Sequence, residues 1–165
     1  MPNTASPTAR LQHYLHRHIP LAATMQVRVD SHTPLQALVL AAPLAPNVND
    51  KGCAFGGSLA SLMTLAGWGL IELALQARDE DCDVYVQDST LRYLAPVWGD
   101  LRAEARLGDG EDWQTFFNQL AARGRGRLTT IIQVHDGAGT AACSMSARFV
   151  AKRRIAADTA SASAA

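Results

Sequence analysis

Asn49, Gly52, Phe55, Gly56 and Gly57 fall within one nine-residue stretch, just ahead of an apolar run from Leu59 to Leu75. Glycine lets a backbone come close to a ligand, and the first N–H groups of a helix have no partner inside it. A Gly56-Gly57 pair at a helix start therefore offers donors to an oxygen that gains negative charge during a reaction. The same pair also suits simple packing of a helix start against a sheet, and spacing alone leaves both readings open. Thr64 could hold a water through its hydroxyl, yet it is no base unaided at neutral pH, and a mid-helix Thr commonly bonds its own backbone. Asp88 interrupts a strand-like stretch, where a charge is costly unless solvated, paired or used. Arg92 is the plain partner for it. Arg123, Arg125 and Arg127 alternate with Gly124 and Gly126 in a basic cluster suited to phosphates or an acidic protein, or else to a solvated turn. Cys53 lies beside the glycine loop without a nearby His to activate it, so no nucleophilic role is assigned.

These residues need elements to hold them. Ser6 or Thr8 can cap a first helix in which Leu11, Leu15 and Ile19 recur before Pro20. Gln26–Asp30 and Gln36–Ala41 read as strands, and residues 46–52 as a turn-rich loop. An apolar helix follows from about Gly57 to Ala77. Asp83–Val97 and Leu101–Leu107 alternate as strands, Trp113–Ala122 suggests a short helix ended by Gly124, and residues 127–135 and 140–150 form a hairpin about Asp136-Gly137-Ala138-Gly139. One apolar helix among six strands predicts an α+β fold, an antiparallel sheet wrapped around that helix. Too few helices alternate with strands for βαβ units.

The 165 residues suit one domain, expected over residues 8–154, with residues 1–7 and an Ala/Ser tail at 155–165 expected to be disordered. Basic and acidic residues balance at 15 each, so no overall field draws the chain to nucleic acid or an anionic membrane. A membrane span wants about 20 apolar residues, and Leu59–Leu75 is interrupted by Ser61, Thr64 and Glu72, so a buried core helix is expected instead. Three widely spaced cysteines with no CxxC pair argue against a zinc site or a disulfide framework. They fit a reducing, cytoplasmic setting, and the N-terminus carries no secretory signal pattern.

The spacing Asn49-x-x-Gly52-x-x-Phe55-Gly56-Gly57 resembles the N-x-x-G-x-x-H-G-G pattern of the hotdog thioesterases. Tyr93-Leu94-Ala95-Pro96 with Gly99 resembles their Y-x-x-P-x-x-G turn. The Phe55-Gly56-Gly57-Ser58 start, the helix bearing Trp68 and the run Asp88-Ser89-Thr90-Leu91-Arg92-Tyr93 are similar to the thioesterase domain at the C-terminus of YiiD-type proteins. The resemblance implies a hotdog fold and an acyl-thioester substrate, carried by coenzyme A or an acyl-carrier protein. It also implies a site between two protomers of a homodimer or a dimer of dimers. Phe55 replaces the usual His and Thr64 the usual helix carboxylate, so the common mechanism does not carry over.

On that footing Gly57 is expected as an oxyanion donor, Asn49 and Thr64 as groups that hold water or thioester, and Asp88 as a substitute general base reaching the cleft across the dimer. Phe55, Gly56, Ser58, Trp68 and Arg125 are expected to contact substrate. Glu72, about four helical turns beyond Gly57, is set aside as too remote. Neither a metal nor a cofactor is expected, and none of the five histidines is assigned a role. The expected activity is hydrolysis of an acyl thioester by direct attack of water. The alternatives are a non-catalytic acyl-thioester binding protein and a dimerisation module.

Overall fold

The computed structural model describes residues 5–155. Residues 1–4 and 156–165, most of both expected tails, lie outside the described residues. Ser6 and Pro7 belong to the fold: Pro7 opens helix α1 (Pro7–His18) and the Ser6 hydroxyl accepts from Ala9 N. Pro20 interrupts the helix and then restarts it as the first residue of α2 (Pro20–Thr24), as its fixed φ favours at a helix start.

Strands β1 (Arg28–Thr33), β2 (Ala37–Ala42), β3 (Cys82–Tyr93), β4 (Leu101–Leu107), β5 (Arg125–His135) and β6 (Ala141–Arg153) form one antiparallel sheet. Their order is β1-β2-β4-β5-β6-β3. Helix α3 (Gly56–Gln76) lies on its inner face, giving the α+β arrangement that the alternating strands and single apolar helix predict and the hotdog fold that the resemblance implies. α3 is long and apolar enough to span a membrane by length and composition, but most of it is buried against the strands. Close approach explains two of its glycines. A Cβ at Gly67 would lie 2.8 Å from Thr130 Oγ1 and 2.9 Å from the Phe149 ring, and one at Gly69 would lie 2.8 Å from a Leu38 methyl. Helix α4 (Trp113–Arg123) is capped by Asp112 and ended by Gly124 in the left-handed region.

The two edges of the sheet differ. β1 is covered by α1: Gln12 Oε1 accepts from Val29 N, and His16 Nε2 donates to the Val27 carbonyl. β3, twelve residues long, has no such cover among the described residues, and Tyr85 and Val86 are exposed on it. A long unpaired edge is a template for another strand. The register of β3 shifts between Val86 and Asp88, a bulge at Gln87.

Candidate functional site

The loop before α3 is a tight turn held largely by Asn49. Its Oδ1 accepts from Lys51 N (2.8 Å) and Cys53 N (3.3 Å), its Nδ2 donates to Cys53 Sγ (3.2 Å), and Gly52 supplies a φ of 85°. The Asn49 side chain is thus occupied within its own turn. Asn47, which the sequence did not single out, anchors the loop from beneath. It is buried, and its Nδ2 donates to the carbonyls of Met25 (3.0 Å) and Pro43 (2.8 Å). Its backbone carbonyl accepts from Phe55 N at 2.7 Å, and Ala54 N donates to Val97 O at 2.8 Å, tying the loop to the β3–β4 connection.

α3 begins without a side-chain cap, Phe55 being its N-cap residue. Leu59 N donates to Phe55 O, whereas the N–H groups of Gly56, Gly57 and Ser58 find no acceptor among the described residues. Three free amides at the positive end of a 21-residue helix present donors of the kind that negative charge on an oxygen attracts. The Phe55 ring folds over Gly57, where a Cβ would sit 2.4 Å from its Cε1, so a side chain at 57 would displace the ring. Tyr93 faces this start from β3. Its hydroxyl donates to Gly56 O at 2.8 Å, and partial burial, then Cys143, pushes its pKa above the usual phenol value. A cavity of about 330 Å³ opens between Gly56 and Leu59 on one wall and Tyr93 to Val97 on the other. Phe55, Leu94 and Trp98 are exposed apolar side chains from this same loop and the β3–β4 connection.

A second cavity of about 320 Å³ follows the exposed stripe of α3 and is lined by Ile19, Leu21, Ala60, Ser61, Thr64 and Leu65. The Thr64 hydroxyl donates to Ala60 O at 2.9 Å, the ordinary back-bond of a mid-helix Thr, with Met145 Sδ 4.0 Å away. Ser61 donates in the same manner to Gly57 O at 2.8 Å.

The structure therefore brings Phe55, Gly56, Gly57 and Ser58 together, with Thr64 two turns along, and leaves the other expected site residues apart. Asp88, expected to reach the cleft across the dimer, does not face α3 of its own protomer. It pairs in register with Arg148, and directly opposed residues of an antiparallel pair share a face. Arg148 is exposed between buried Ala147 and Phe149, so Asp88 points to the outer face, away from α3, with its carboxylate 3.7 Å from Arg148. The charge is solvated and paired, with Arg148 in place of the expected Arg92. Arg125 is also exposed on the outer face and pairs with Lys152 at the Cys82 end of the sheet. Ten β3 residues, about 33 Å, separate that level from Tyr93. Trp68 stacks on Tyr14 with ring centroids 5.9 Å apart, closing α1 onto α3, and lines neither cavity. Tyr93 and Ser61 are the site residues that sequence reasoning passed over. The Y-x-x-P turn marked the first, but nothing in the sequence showed where its hydroxyl points.

Known proteins share the family pattern and the fold. Residues 8–153 match the model of a family described as "Putative thioesterase (yiiD_Cterm)". A crystal structure described as the putative thioesterase from Shewanella oneidensis superposes with a TM-score of 0.78 at 30% identity, covering 88% of this chain and 97% of that one. A Chlorobaculum tepidum protein of unknown function superposes with a TM-score of 0.84 at 27% identity, covering 89% and 94%. A thioesterase from Haemophilus influenzae shares the fold at 14% identity and a TM-score of 0.70, covering 91% and 92%.

Proposed function

Since the chain belongs to this YiiD C-terminal thioesterase family, we propose that it cleaves acyl thioesters of coenzyme A or an acyl-carrier protein by direct attack of water. The observation that carries the reading is the uncapped start of α3. The Gly57 and Ser58 amides polarise the thioester carbonyl and take up the charge of the tetrahedral intermediate. The carrier arm enters past Phe55 and Leu94, and the acyl chain lies along the α3 stripe in the second cavity. The protein works as a homodimer joined through β3, the reading supported by its bare edge beside the covered edge of β1. Three free, buried cysteines support a reducing, cytoplasmic setting.

Within one protomer neither of two candidate carboxylates faces the amides: Asp88 is turned outward, and Glu72 lies about 22 Å along the helix from Gly57. The proton acceptor for the water is accordingly a group brought by the second protomer. The same observation favours the second reading, an acyl-thioester binding protein that does not hydrolyse.

Purified protein mixed with acyl-CoA and acyl-carrier-protein thioesters of graded chain length separates the two. Release of free thiol, abolished when a bulky residue replaces Gly57, supports the hydrolase. Saturable binding of acyl-CoA with no thiol released replaces it with the binding reading.

A further inference from the structure

We propose that Tyr93 and Ser61 are positioning residues that set the Gly57 and Ser58 amides as oxyanion donors, each by holding the carbonyl at the other end of that donor's own peptide group. The inference rests on the hydrolase reading for the task of those amides and adds what aims them.

A peptide group is planar, so fixing its carbonyl oxygen fixes the direction of its N–H. The Gly57 N–H shares a peptide with the Gly56 carbonyl, which accepts from Tyr93 Oη at 2.8 Å. The Ser58 N–H shares one with the Gly57 carbonyl, which accepts from Ser61 Oγ at 2.8 Å. Two consecutive peptides are thus held at their carbonyls by side-chain hydroxyls, and both carry an N–H with no acceptor. A hydrogen bond at a carbonyl also polarises the whole peptide group and strengthens its N–H as a donor.

A serine back-bonding to the carbonyl four residues earlier is common in helices, so Ser61 alone would mean little. Tyr93 has no such local reason. It reaches the same turn from 37 residues away in sequence, and its phenol lies over Gly56, where a Cβ would already touch the ring at 3.4 Å. An exposed tyrosine ties up two torsions to hold a carbonyl that the helix can already satisfy from Ala60. Such a bond contributes little to stability, whereas a glycine peptide, the freest in the chain, gains a fixed orientation from it. A phenol is protonated, and so a donor, at neutral pH, and partial burial of Tyr93 favours that form further.

The test uses the full chain and two readouts. In acyl-CoA hydrolysis, Tyr93→Phe is expected to lower kcat about fivefold to tenfold with KM unchanged, because the lost contribution acts in the transition state. Ser61→Ala lowers kcat similarly and Ser61→Thr restores it. Tyr14→Phe, on α1 away from the β3 edge and with its ring stack on Trp68 kept, leaves both constants alone. In 15N-labelled free protein the Gly57 amide proton moves upfield in Tyr93→Phe and stays in place in Tyr14→Phe, while melting temperatures match wild type. A Tyr93→Phe enzyme with wild-type kcat, or one whose KM rises while kcat holds, overturns the inference. So does an unmoved Gly57 amide. Wild-type protein that releases no thiol overturns the hydrolase reading instead, and the amide shift then decides by itself whether Tyr93 aims that peptide.

Discussion

Glu72 should make the protein less stable as pH rises through neutrality. It lies half-buried on α3, at the end away from Gly57, and burial pushes its carboxyl from 4.5 to about 7. Arg154 pulls the value down, and Asp83 and Asp81 push it up again. In the unfolded chain the group titrates near 4.5, so between that value and 7 the native state binds more protons and stability falls as pH increases. At roughly 1.4 kcal/mol per pH unit the difference amounts to about 3 kcal/mol once pH exceeds 7. Water reaching a half-buried side chain reduces it to about 1–2 kcal/mol. Glu72→Gln keeps the volume and removes the ionisation. In thermal melts at fixed protein concentration, Glu72→Gln and wild type should coincide at pH 4.5. At pH 8 the variant should melt about 3–6 °C higher. A gap that does not change with pH would falsify the reasoning. A variant that melts lower than wild type at pH 8 would show that Arg154 holds an ionised Glu72 more strongly than burial opposes it.

Gly57→Ala forces the Phe55 ring off the helix start, so kcat for thioester cleavage should fall about tenfold or more, while circular dichroism stays that of the folded protein. Asp88→Asn should keep kcat within about twofold of wild type, because the carboxylate faces away from α3 and an exposed ion pair is worth little; a loss of a hundredfold in a steady-state assay would return Asp88 to the role of base. Val86→Lys places a charge on the bare β3 edge and should shift the protein to monomers by light scattering, with thiol release falling in step. An unchanged dimer would place the interface elsewhere. Gly67→Ala should lower stability by about 1–3 kcal/mol in urea unfolding, since its Cβ meets Thr130 and Phe149 inside the core.

What the sequence made legible follows the physics of each segment. Leu101–Leu107 alternates because β4 is buried on one face only, and its limits were readable to the residue. The α3 helix was readable because it is apolar nearly all round, and the end of α4 because Gly124 marks it, while its Asp112 cap was not singled out. The first strand was displaced by two residues at its start and three at its end. Its pattern is weak, since Asp30 sits at a register shift and its edge is satisfied by Gln12 and His16 rather than by a neighbouring strand. The turn role of Asn49 and the back-bond of Thr64 were open alternatives that only coordinates decide. Asn47 was invisible, because burial of a loop amide leaves no periodic trace.

Asp88 and Tyr93 were hidden by one feature, and it links the two halves of the site. Period-two alternation from Val84 through Val86 carries Asp88 onto the inner face, where a carboxylate would stand beside α3. The bulge at Gln87 inserts one residue, and every later side chain changes face. Val86 opposes Phe149 on the inner side, but Asp88 opposes Arg148 on the outer side. Ser89, Leu91 and Tyr93 then oppose Ala147, Met145 and Cys143, all buried on the inner side. Without the bulge, Tyr93 would face outward and could not reach Gly56, and the helix start would lose this hydrogen bond from the sheet edge. The shift that denies the site a carboxylate at 88 is thus the one that supplies a phenol at 93. It explains why the glycine loop can keep its donors in order without the acidic residue that the spacing alone invites.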